Sequence, residues 1–527
     1  MATGGLSGMK AERHVVVVGA GVGGLMAALI LAGSGLRVTV LERAATPGGK
    51  MRQRFDQGLA MDAGPTVFTL KRIFEEAFAS VGLDFDACAP SRRASVLARH
   101  AWDDRGRFDL FADVDRSADE VARFFSKADA DGFRRFAADS ARVWRTLERS
   151  FVRAPAPRFS SLVRGAGLSG LSDLLATRPF QTLWNALGDY FPDPRLRQLF
   201  GRYATYCGSS PFQCPATLML VAHVEQDGVW MIDGGMHRLA QTLAEQAAAK
   251  GACVRYGAHV ERIATSRSGA QVELASGEVL TADAVVYNGD VSALGQGLLG
   301  DAVRKAAPAT APEKRSLSAI TWTLAARTRD FPLVRHNVFF SQDYSSEFDA
   351  VRRGGLIDDP TVYVCAQDRG DDDDARDSPE RLLMLVNAPA TGDRRALSHE
   401  ELATCAARTM DRLTACGLRL ENEPTALQAT APQDFEALFP ATGGALYGRA
   451  SHGWTASFQR PGVRSKAPRL YLAGGSVHPG PGVPMAALSG WTAANCVMAD
   501  LASMRLSPVM GTRGGISTPS TRTASTA

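Results

Sequence analysis

The chain's clearest pattern is an apolar run that changes from strand-like to helix-like across a cluster of glycines. Val15–Val18 are four consecutive β-branched residues, typical of a strand buried on both faces. Leu25–Ala32 is an unbroken apolar run suited to a buried helix, and Val38–Leu41 is a second β-branched run. The stretch from Val15 to Leu36 carries no charge and is long enough to span a bilayer, but six glycines interrupt it. The pattern therefore predicts a buried strand–helix–strand unit over 14–42.

The glycines in this unit have the spacing of a phosphate-binding turn. Gly19, Gly21 and Gly24 form G-x-G-x-x-G, in which the first glycine allows the tight turn and the second lets the backbone approach a pyrophosphate. The helix N-terminus would face that phosphate with its free N–H groups. Glu42 follows Gly19 by 23 residues, near the offset of an acid that binds ribose hydroxyls. The unit is predicted to bind a dinucleotide.

Later segments supply further elements of the same kind. Strands are predicted at 251–256, 259–263, 284–289 and 469–473, and helices at 236–250 and 486–501. The fold class is therefore α/β, with a Rossmann-like domain assembled from separated segments and a second domain of mixed sheet and helices. The expected boundaries are 11–75, 230–300 and 462–505 for the nucleotide domain, 76–229 and 301–461 for the second domain, and 506–527 for a disordered Gly-, Ser- and Thr-rich tail.

Composition and charge exclude several classes of function. The net charge of the 527 residues is only +4, which gives no reason to expect a nucleic-acid partner. The eight cysteines show neither a Cys-x-x-Cys pair nor zinc-like spacing, which favours free thiols in a reducing cytoplasm. Asp371–Asp374 reads as a solvated loop, so no metal site is expected. Met1–Arg13 lacks the apolar core of a secretory signal.

Two further glycine-rich segments suggest a larger cofactor than a simple dinucleotide. Gly48, Gly49 and Lys50 follow soon after Glu42, and Asp62–Thr66 forms another tight turn. Backbone freedom beside a cation suits a second approach to the pyrophosphate or to a flavin ring. About 400 residues later, a strand enters the turn at Gly474 and Gly475 and leads into a helix that can offer N–H groups to a carbonyl-rich ring.

Together these motifs resemble those of the FAD-dependent carotenoid desaturases, the phytoene desaturase family of flavoproteins. The resemblance spans most of residues 14–503, and Ser476–Gly490 is most similar to the hydroxyneurosporene (1-hydroxycarotenoid 3,4-) desaturases of purple bacteria. Lys50 stands where many members of the family carry arginine; the charge is kept but bidentate geometry is lost. Besides the glycine motifs, the resemblance rests on the segments Gly201–Thr217, Asn337–Phe348, Ser451–Pro461 and Leu472–Gly490.

The resemblance implies FAD as cofactor and hydride transfer from a C–C bond to the flavin. The product would be a C3–C4 double bond in a 1-hydroxylated acyclic carotenoid, of the hydroxyneurosporene type. A phytoene desaturase acting in successive steps is the main alternative; more distant ones are an amine oxidase, a retinoid saturase and a non-catalytic flavin-binding scaffold. The residues expected to bind FAD are Gly19, Ala20, Gly21, Val22, Gly23, Gly24, Glu42, Arg43, Gly49, Lys50, Gly64, Pro65, Thr66, Val260, Gly475, Val483, Pro484 and Met485.

The chemistry itself points to no catalytic side chain. A cation delocalised over a polyene loses a proton to a weak base such as water, and the chain has no Ser/His/Asp or paired-carboxylate signature. His452 and His478 lie inside family motifs and are candidate bases, although a structural hydrogen bond is the favoured interpretation of each. The catalytic residue is therefore left unassigned.

The expected partners are a long apolar carotenoid, a membrane surface and an electron acceptor, either oxygen or a quinone. Arg153, Arg158, Arg164 and Arg178 are interleaved with apolar residues over 151–200, as in a segment that rests on an anionic membrane surface. An ordinary amphipathic part of a soluble domain is an equally good interpretation of this segment. The expected location is peripheral, on the cytoplasmic side of the bacterial inner or photosynthetic membrane.

Overall fold

The computed structural model describes residues 13–103, 106–158, 177–371, 378–425 and 428–506. Three sequence predictions fall largely outside these residues: the disordered tail, the loop at 372–374 and the membrane contact of Arg164. Asp371 itself is described, and its carboxylate accepts the backbone N–H groups of Ser95 at 2.9 Å and Val96 at 3.2 Å. This aspartate is therefore anchored to a strand rather than simply solvated.

A five-stranded parallel sheet forms the first layer of the molecule. Its central strand is the β-branched run near the N-terminus, in which Val16 lies opposite Val285 on one side and Thr39 on the other. The strands come from segments far apart in the sequence, and their spatial order is Leu470–Leu472, Ala284–Tyr287, His14–Val18, Arg37–Leu41 and Cys253–Arg255.

Three long helices complete this layer. Val22–Gly33 packs against both Gly235–Ala249 and Val483–Leu506. The contact between the first and last of these helices is very close, because a Cβ on Gly490 would lie 1.9 Å from the carbonyl oxygen of Gly23. The first helix is almost completely buried, as its continuous apolar sequence predicts. A parallel sheet flanked by such helices is the Rossmann-like arrangement predicted from the sequence.

A seven-stranded sheet forms the second layer. All its neighbouring strands are antiparallel except His336–Phe339 and Val96–Ala101, which run parallel. Three of its strands, Ser318–Ala326, Val362–Ala366 and His336–Phe339, are buried along their whole length, and the core of the sheet includes Trp322 and Leu382. The spatial order is Ala429–Thr430, Ser318–Ala326, Glu380–Ala388, Val362–Ala366, His336–Phe339, Val96–Ala101 and Arg107–Phe111.

The remaining elements surround these two sheets. A three-stranded antiparallel sheet consists of Val260–Thr265, Ala270–Leu274 and Val279–Ala282. Two-stranded pairs join Gln53–Asp56 to Leu59–Asp62, Ser91–Arg93 to Trp230–Ile232, and Thr328–Arg329 to Arg419–Leu420. The other α-helices are Lys71–Ala79, Phe85–Cys88, Val114–Phe124, Lys127–Leu147, Leu183–Gly188, Pro194–Gly201, Leu220–Asp227, Val291–Gln296, Tyr344–Arg352, His399–Ala415 and Pro432–Leu438.

Most predicted elements of the parallel layer lie within a few residues of their observed bounds. The largest difference is the last helix, which begins at Val483 rather than near 486 and continues to Leu506. Because of Pro484, the sequence prediction places the start of this helix too late, although proline is well tolerated in the first turn of a helix. Among the described residues, no helix combines the length and the apolar character that crossing a bilayer requires.

Candidate functional site

A cavity of about 1190 Å³ runs from the glycine turns of the parallel sheet into the space between the two layers. Its first part is lined mainly by backbone and charged groups, and its second part mainly by aromatic and aliphatic side chains. The carboxyl ends of three central strands, His14–Val18, Arg37–Leu41 and Ala284–Tyr287, all lead into the first part. This is where ligands bind in open α/β sheets.

The first glycine turn places a helix N-terminus at the cavity wall. Gly19 has a φ of 97°, which favours glycine, and Gly21 caps the helix that follows without contributing a side-chain hydrogen bond. The free N–H groups of that first turn are therefore available to an anion. Gly24 has another role, since its Cβ would lie 2.1 Å from the carbonyl oxygen of Gly19. It allows the turn to pack against its own helix.

Glu42 is fixed at the end of the neighbouring strand. One carboxylate oxygen accepts the backbone N–H of Ala20 at 2.7 Å, and the other accepts that of Ala44 at 2.8 Å. The side chain is buried and still lines the cavity. Each carboxylate oxygen has a second lone pair, so Glu42 can bind hydroxyl groups in the cavity while it holds both turns in place.

The second glycine segment lies directly against the first. Gly21 and Gly48 form a β-bridge, and the N–H of Gly48 donates to the carbonyl oxygen of Ala20 at 2.8 Å. Lys50 is half-buried, with its ammonium 2.5 Å from the carbonyl oxygen of Leu446. Burial lowers the pKa of Lys50, Asp290 opposes this shift and Arg460 adds to it.

Two side chains that the sequence did not single out also border the phosphate end of the cavity. Asn288 follows the strand Ala284–Tyr287, donates to the carbonyl oxygen of Gly19 at 3.3 Å and leaves its buried Oδ1 without a partner among the described residues. Arg460 donates to the carbonyl oxygens of Tyr447 and Gly475, both at 3.1 Å. Burial lowers the pKa of Arg460 to about 10, so the guanidinium is charged at neutral pH.

The last glycine turn lies directly against the first, since a Cβ on Gly23 would lie 3.0 Å from the backbone nitrogen of Gly474. Gly474 has a φ of 107°, and its N–H donates to Ser489 Oγ at 2.8 Å. Gly475 and the first residues of the last helix, Val483–Met485, line the cavity beyond it. Two helix N-termini therefore lie side by side at one cavity, an arrangement that suits a pyrophosphate beside the first and a planar ring rich in carbonyl groups beside the second.

The turn at Gly64–Thr66 separates the two parts of the cavity. Gly64 must be glycine because a Cβ there would lie 1.8 Å from the carbonyl oxygen of Lys50. Asp62, just before the turn, accepts the N–H groups of Met236 at 2.6 Å and His237 at 3.0 Å and so caps the helix Gly235–Ala249. The aspartate positions the turn and does not reach the cavity wall.

A chain of polar side chains lies across the second, apolar part. Thr66 Oγ1 is 2.6 Å from the hydroxyl of Tyr363, and the Arg202 guanidinium lies 5.2 Å from the centre of that ring. Arg202 donates to Tyr206 Oη at 3.2 Å, and Tyr206 donates to Glu225 Oε1 at 3.1 Å. Burial raises the pKa of both tyrosines, so their hydroxyl groups remain protonated.

The apolar part ends at two exposed aromatic rings. Phe180 is 72% exposed and Trp454 49% exposed, and their ring centres are 5.4 Å apart. Both line the cavity, so an opening lies beside exposed apolar surface. The other apolar walls of this part include Trp144, Leu147, Phe151, Leu218, Val221, Leu383, Leu385, Phe435, Phe439 and Phe458.

The structure brings almost all of the predicted cofactor residues to one cavity. The exceptions are Ala20 and Gly24, which lie behind the first turn and serve its packing. Arg43 lines the cavity and donates to the carbonyl oxygens of Ala437 and Leu438. The residues of the predicted set that line the cavity are Gly19, Gly21, Val22, Gly23, Glu42, Arg43, Gly49, Lys50, Gly64, Pro65, Thr66, Val260, Gly475, Val483, Pro484 and Met485.

The two candidate histidines do not line this cavity. His478 is 1% exposed and hydrogen-bonds through Nε2 to the carbonyl oxygen of Phe151 at 2.8 Å. His452 Nε2 accepts the backbone N–H of Ser210 at 3.0 Å. Burial lowers the pKa of each to about 4, so both are neutral at pH 7. These contacts support the structural interpretation of both residues.

Two solved structures of similar fold are oxidases of low sequence identity. Putrescine oxidase is 14% identical with a TM-score of 0.54, covering 93% of this chain and 99% of its own. Cyclohexylamine oxidase from Brevibacterium oxydans is 13% identical with a TM-score of 0.53, covering 93% of this chain and all of its own. These likenesses confirm the predicted fold class.

Sequence relatives are much more similar. Hydroxyneurosporene desaturase from Rubrivivax gelatinosus is 52% identical over 516 residues, which is 97% of this chain and 98% of the relative. Hydroxyneurosporene desaturase from Cereibacter sphaeroides is 44% identical, with coverage of 93% and 98%. The 1-hydroxycarotenoid 3,4-desaturase of a Flavobacterium species is 30% identical, with coverage of 92% and 99%.

The family assignment follows from these comparisons together with the cavity. Residues 22–498 match the flavin-containing amine oxidoreductase family. The paired helix N-termini, the glycine turns and Glu42 fit a flavin dinucleotide, and the unpartnered Oδ1 of Asn288 lies beside the turn that would hold its phosphates. The cofactor predicted from the sequence, FAD, is thereby confirmed. The chain belongs to the flavin-containing amine oxidoreductase family, in the branch that includes the hydroxyneurosporene desaturases.

Proposed function

We propose that the protein is an FAD-dependent desaturase that introduces the C3–C4 double bond into a 1-hydroxylated acyclic carotenoid. The observation that carries this proposal is the continuity of the cofactor turns with a long apolar space inside one cavity. A polyene can reach the flavin through such a space without crossing water. The names of the relatives, two hydroxyneurosporene desaturases and a 1-hydroxycarotenoid 3,4-desaturase, supply the substrate class.

The proposed cofactor contacts follow from the positions of the lining residues. The first-turn N–H groups of Val22 and Gly23 would bind the pyrophosphate, and Glu42 would accept from the ribose hydroxyls. The helix N-terminus at Val483–Met485 would donate to carbonyl groups of the ring. When bound, FAD supplies a hydride acceptor.

The chain's own contribution is to orient the substrate and exclude water. Aromatic and aliphatic side chains form most of the second part of the cavity, so a hydrocarbon loses little by leaving a lipid environment for it. The Gly64–Thr66 turn separates this part from the phosphate end and would place the reacting carbons beside the ring. The proton that leaves with the hydride can go to a weak base such as water, so none of these roles requires a catalytic side chain, in keeping with the unassigned base.

We extend the proposal to the division of the chain into two domains. Segments 11–75, 230–300 and 462–505 would hold the cofactor, because they supply the five strands of the parallel sheet. Segments 76–229 and 301–461 would hold the substrate, because they supply the polar chain and most of the apolar walls.

Membrane attachment is proposed to be peripheral, at the cavity opening. Exposed Phe180 and Trp454 give this opening an apolar rim from which a carotenoid can enter directly. The electrostatic part of this attachment would be weaker than the sequence suggested, because two of the arginines are already paired. Arg153 is ion-paired to Glu76 at 2.7 Å and Arg178 to Asp189 at 2.6 Å.

Anaerobic flavin reduction tests the activity directly. Purified protein should be yellow, and a lipid-dispersed 1-hydroxylated acyclic carotenoid should bleach it and gain one double bond by chromatography. Adding oxygen or a quinone afterwards identifies the acceptor by the return of colour. Equal rates on phytoene would favour the multi-step phytoene desaturase, and a yellow protein that no carotenoid bleaches would favour the non-catalytic scaffold.

A further inference from the structure

The part of the polar chain that runs from Arg202 to Glu225 contains none of the residues predicted to bind the cofactor. It begins at Arg202 and continues through Tyr206 to Glu225, whose other carboxylate oxygen accepts from the hydroxyl of buried Tyr203. Arg202 also lies over the faces of Tyr206 and Tyr363, at 5.3 Å and 5.2 Å. A cation and a carboxylate inside a cavity built for a hydrocarbon are costly unless a ligand uses them.

Arg202 keeps unused donors that face the cavity. A guanidinium has five N–H donors. Within the described parts of the chain, its one side-chain hydrogen bond goes to Tyr206 at 3.2 Å, and no carboxylate lies within ion-pair distance. Because Arg202 lines the cavity wall, its remaining donors are accessible to an occupant of the cavity. Tyr206, Tyr363 and Glu225 line the same wall.

The proposed reaction fixes how far the substrate hydroxyl lies from the reacting bond. The hydroxyl is on C1 and the new double bond joins C3 and C4, so three bonds separate the oxygen from C3. At roughly 1.5 Å per bond, the oxygen lies no more than about 4 Å from C3 and about 5 Å from C4. A residue that binds this hydroxyl must therefore lie close to the flavin ring.

Arg202 lies close to the expected position of the flavin ring because of its contact with Tyr363. The Tyr363 hydroxyl is 2.6 Å from Thr66 Oγ1, and Thr66 belongs to the turn that the proposed function places beside the ring. The guanidinium lies over the face of this ring, 5.2 Å from its centre, so a single tyrosine side chain links it to that turn. The remaining carbons of the substrate would then extend along the apolar walls away from the ring.

We propose that Arg202, supported by Tyr206 and Glu225, binds the C1 hydroxyl of the substrate and determines the specificity for hydroxylated carotenoids. This inference rests on the proposed function and names the residues that determine which substrate the protein selects. Arg202 would donate to the hydroxyl oxygen, while Tyr206 and Glu225 hold the guanidinium in place and balance its charge. A carotenoid without the hydroxyl would leave the guanidinium facing hydrocarbon, which disfavours its binding.

The test compares two substrates on matched variants. Parent protein, Arg202→Met and Tyr206→Phe receive a 1-hydroxylated acyclic carotenoid and the same carotenoid without the hydroxyl, each in vesicles of phosphatidylcholine. Flavin content, kcat/KM for flavin reduction and quenching of flavin fluorescence on binding are measured. Arg195→Met is the control. Arg195 lies on the helix Pro194–Gly201, pairs with the N-cap residue of that helix, Asp193, and does not line the cavity.

The parent should prefer the hydroxylated substrate by roughly 10⁴-fold, as sites built to bind a substrate hydroxyl do. Arg202→Met should reduce this ratio by about 100-fold, almost entirely through loss on the hydroxylated substrate, with flavin content unchanged. Tyr206→Phe should reduce it by about tenfold, and Arg195→Met should leave it unchanged. An Arg202→Met variant that slows both substrates equally would overturn the proposal and make Arg202 a general structural residue.

The fluorescence measurement separates this inference from the proposed function. If neither carotenoid reduces the flavin in the parent, the desaturase proposal fails. The hydroxyl site still stands if the parent binds the hydroxylated carotenoid more tightly and Arg202→Met removes that preference. A parent protein that binds and turns over both carotenoids equally refutes the hydroxyl site, whatever the reaction.

Discussion

Glu42→Gln is the substitution that tests the nucleotide site most directly. The change keeps the size of the side chain and one carbonyl oxygen but removes the charge and one acceptor. Both carboxylate oxygens are in use in the structure, at 2.7 Å from the N–H of Ala20 and 2.8 Å from that of Ala44. The NH2 part of the glutamine amide must therefore face one of these N–H donors. The ribose hydroxyls would also lose a charged acceptor.

The magnitude follows from the strength of the bonds that change. Hydrogen bonds to a charged group contribute about 1.5–3 kcal/mol and neutral ones about 0.5–1.5 kcal/mol. The net loss in FAD binding should be about 1–3 kcal/mol, or roughly 5- to 150-fold in Kd. The apoprotein should also be destabilised by about 1–3 kcal/mol, because Glu42 is 8% exposed and one N–H facing it loses its partner.

Two measurements separate these effects. Titration of apoprotein with FAD gives Kd, and thermal unfolding of the apoprotein gives its stability. Glu278→Gln is the control, since this glutamate is exposed and pairs with Arg255 on the protein surface. An unchanged Kd together with a destabilised apoprotein would show that Glu42 holds the two turns and does not bind the ribose.

Three further outcomes are expected. Gly24→Ala should abolish FAD retention or destabilise the protein by at least about 1–3 kcal/mol in thermal melts, because the new Cβ would lie 2.1 Å from a carbonyl oxygen. Burial lowers the pKa of His478 to about 4, so its contribution to stability is complete above pH 6.5 and is lost as the pH falls towards 4. The share of the unfolding free energy that comes from His478 should be lower by about 2 kcal/mol at pH 5 than at pH 8, and His478→Gln should remove that share of the total pH dependence. His452, His100 and His336 contribute to the rest, because burial lowers their pKa as well. A profile in the variant that runs parallel to that of the parent would contradict the assignment. Replacing Phe180 and Trp454 together by serine should reduce sedimentation with lipid vesicles at high salt without changing flavin content; unchanged sedimentation would exclude the rim as the attachment site.

The phosphate end of the site was predictable because its chemistry is encoded locally. Gly19, Gly21 and Glu42 lie within a short stretch, and each residue type is dictated by a turn, a close approach or a hydrogen bond. Asn288 was missed although a signal existed. It directly follows a strand predicted to be buried, at the carboxyl edge where ligands of parallel sheets bind.

The substrate end was not predictable in the same way. Arg202 and Tyr363 are 161 positions apart in sequence and meet only because a 3₁₀-helix and a strand of the second sheet face one cavity. Neither residue belongs to a periodic pattern that distinguishes it from an ordinary surface arginine or core tyrosine. The proposed membrane segment could not be judged from the sequence either. A count of charges does not show that Arg153 and Arg178 form ion pairs within the protein.

The close contact between Gly23 and Gly490 has a consequence for how the protein is made. The first glycine turn is translated more than 450 residues before the helix that seals it. At about 5–20 residues per second, the ribosome needs roughly 25–90 s to cover that distance. During this time the almost wholly apolar helix Val22–Gly33 lacks its final cover. This topology leads us to expect that the nascent chain needs chaperone protection and that the cofactor is bound only after the last helix has left the ribosome.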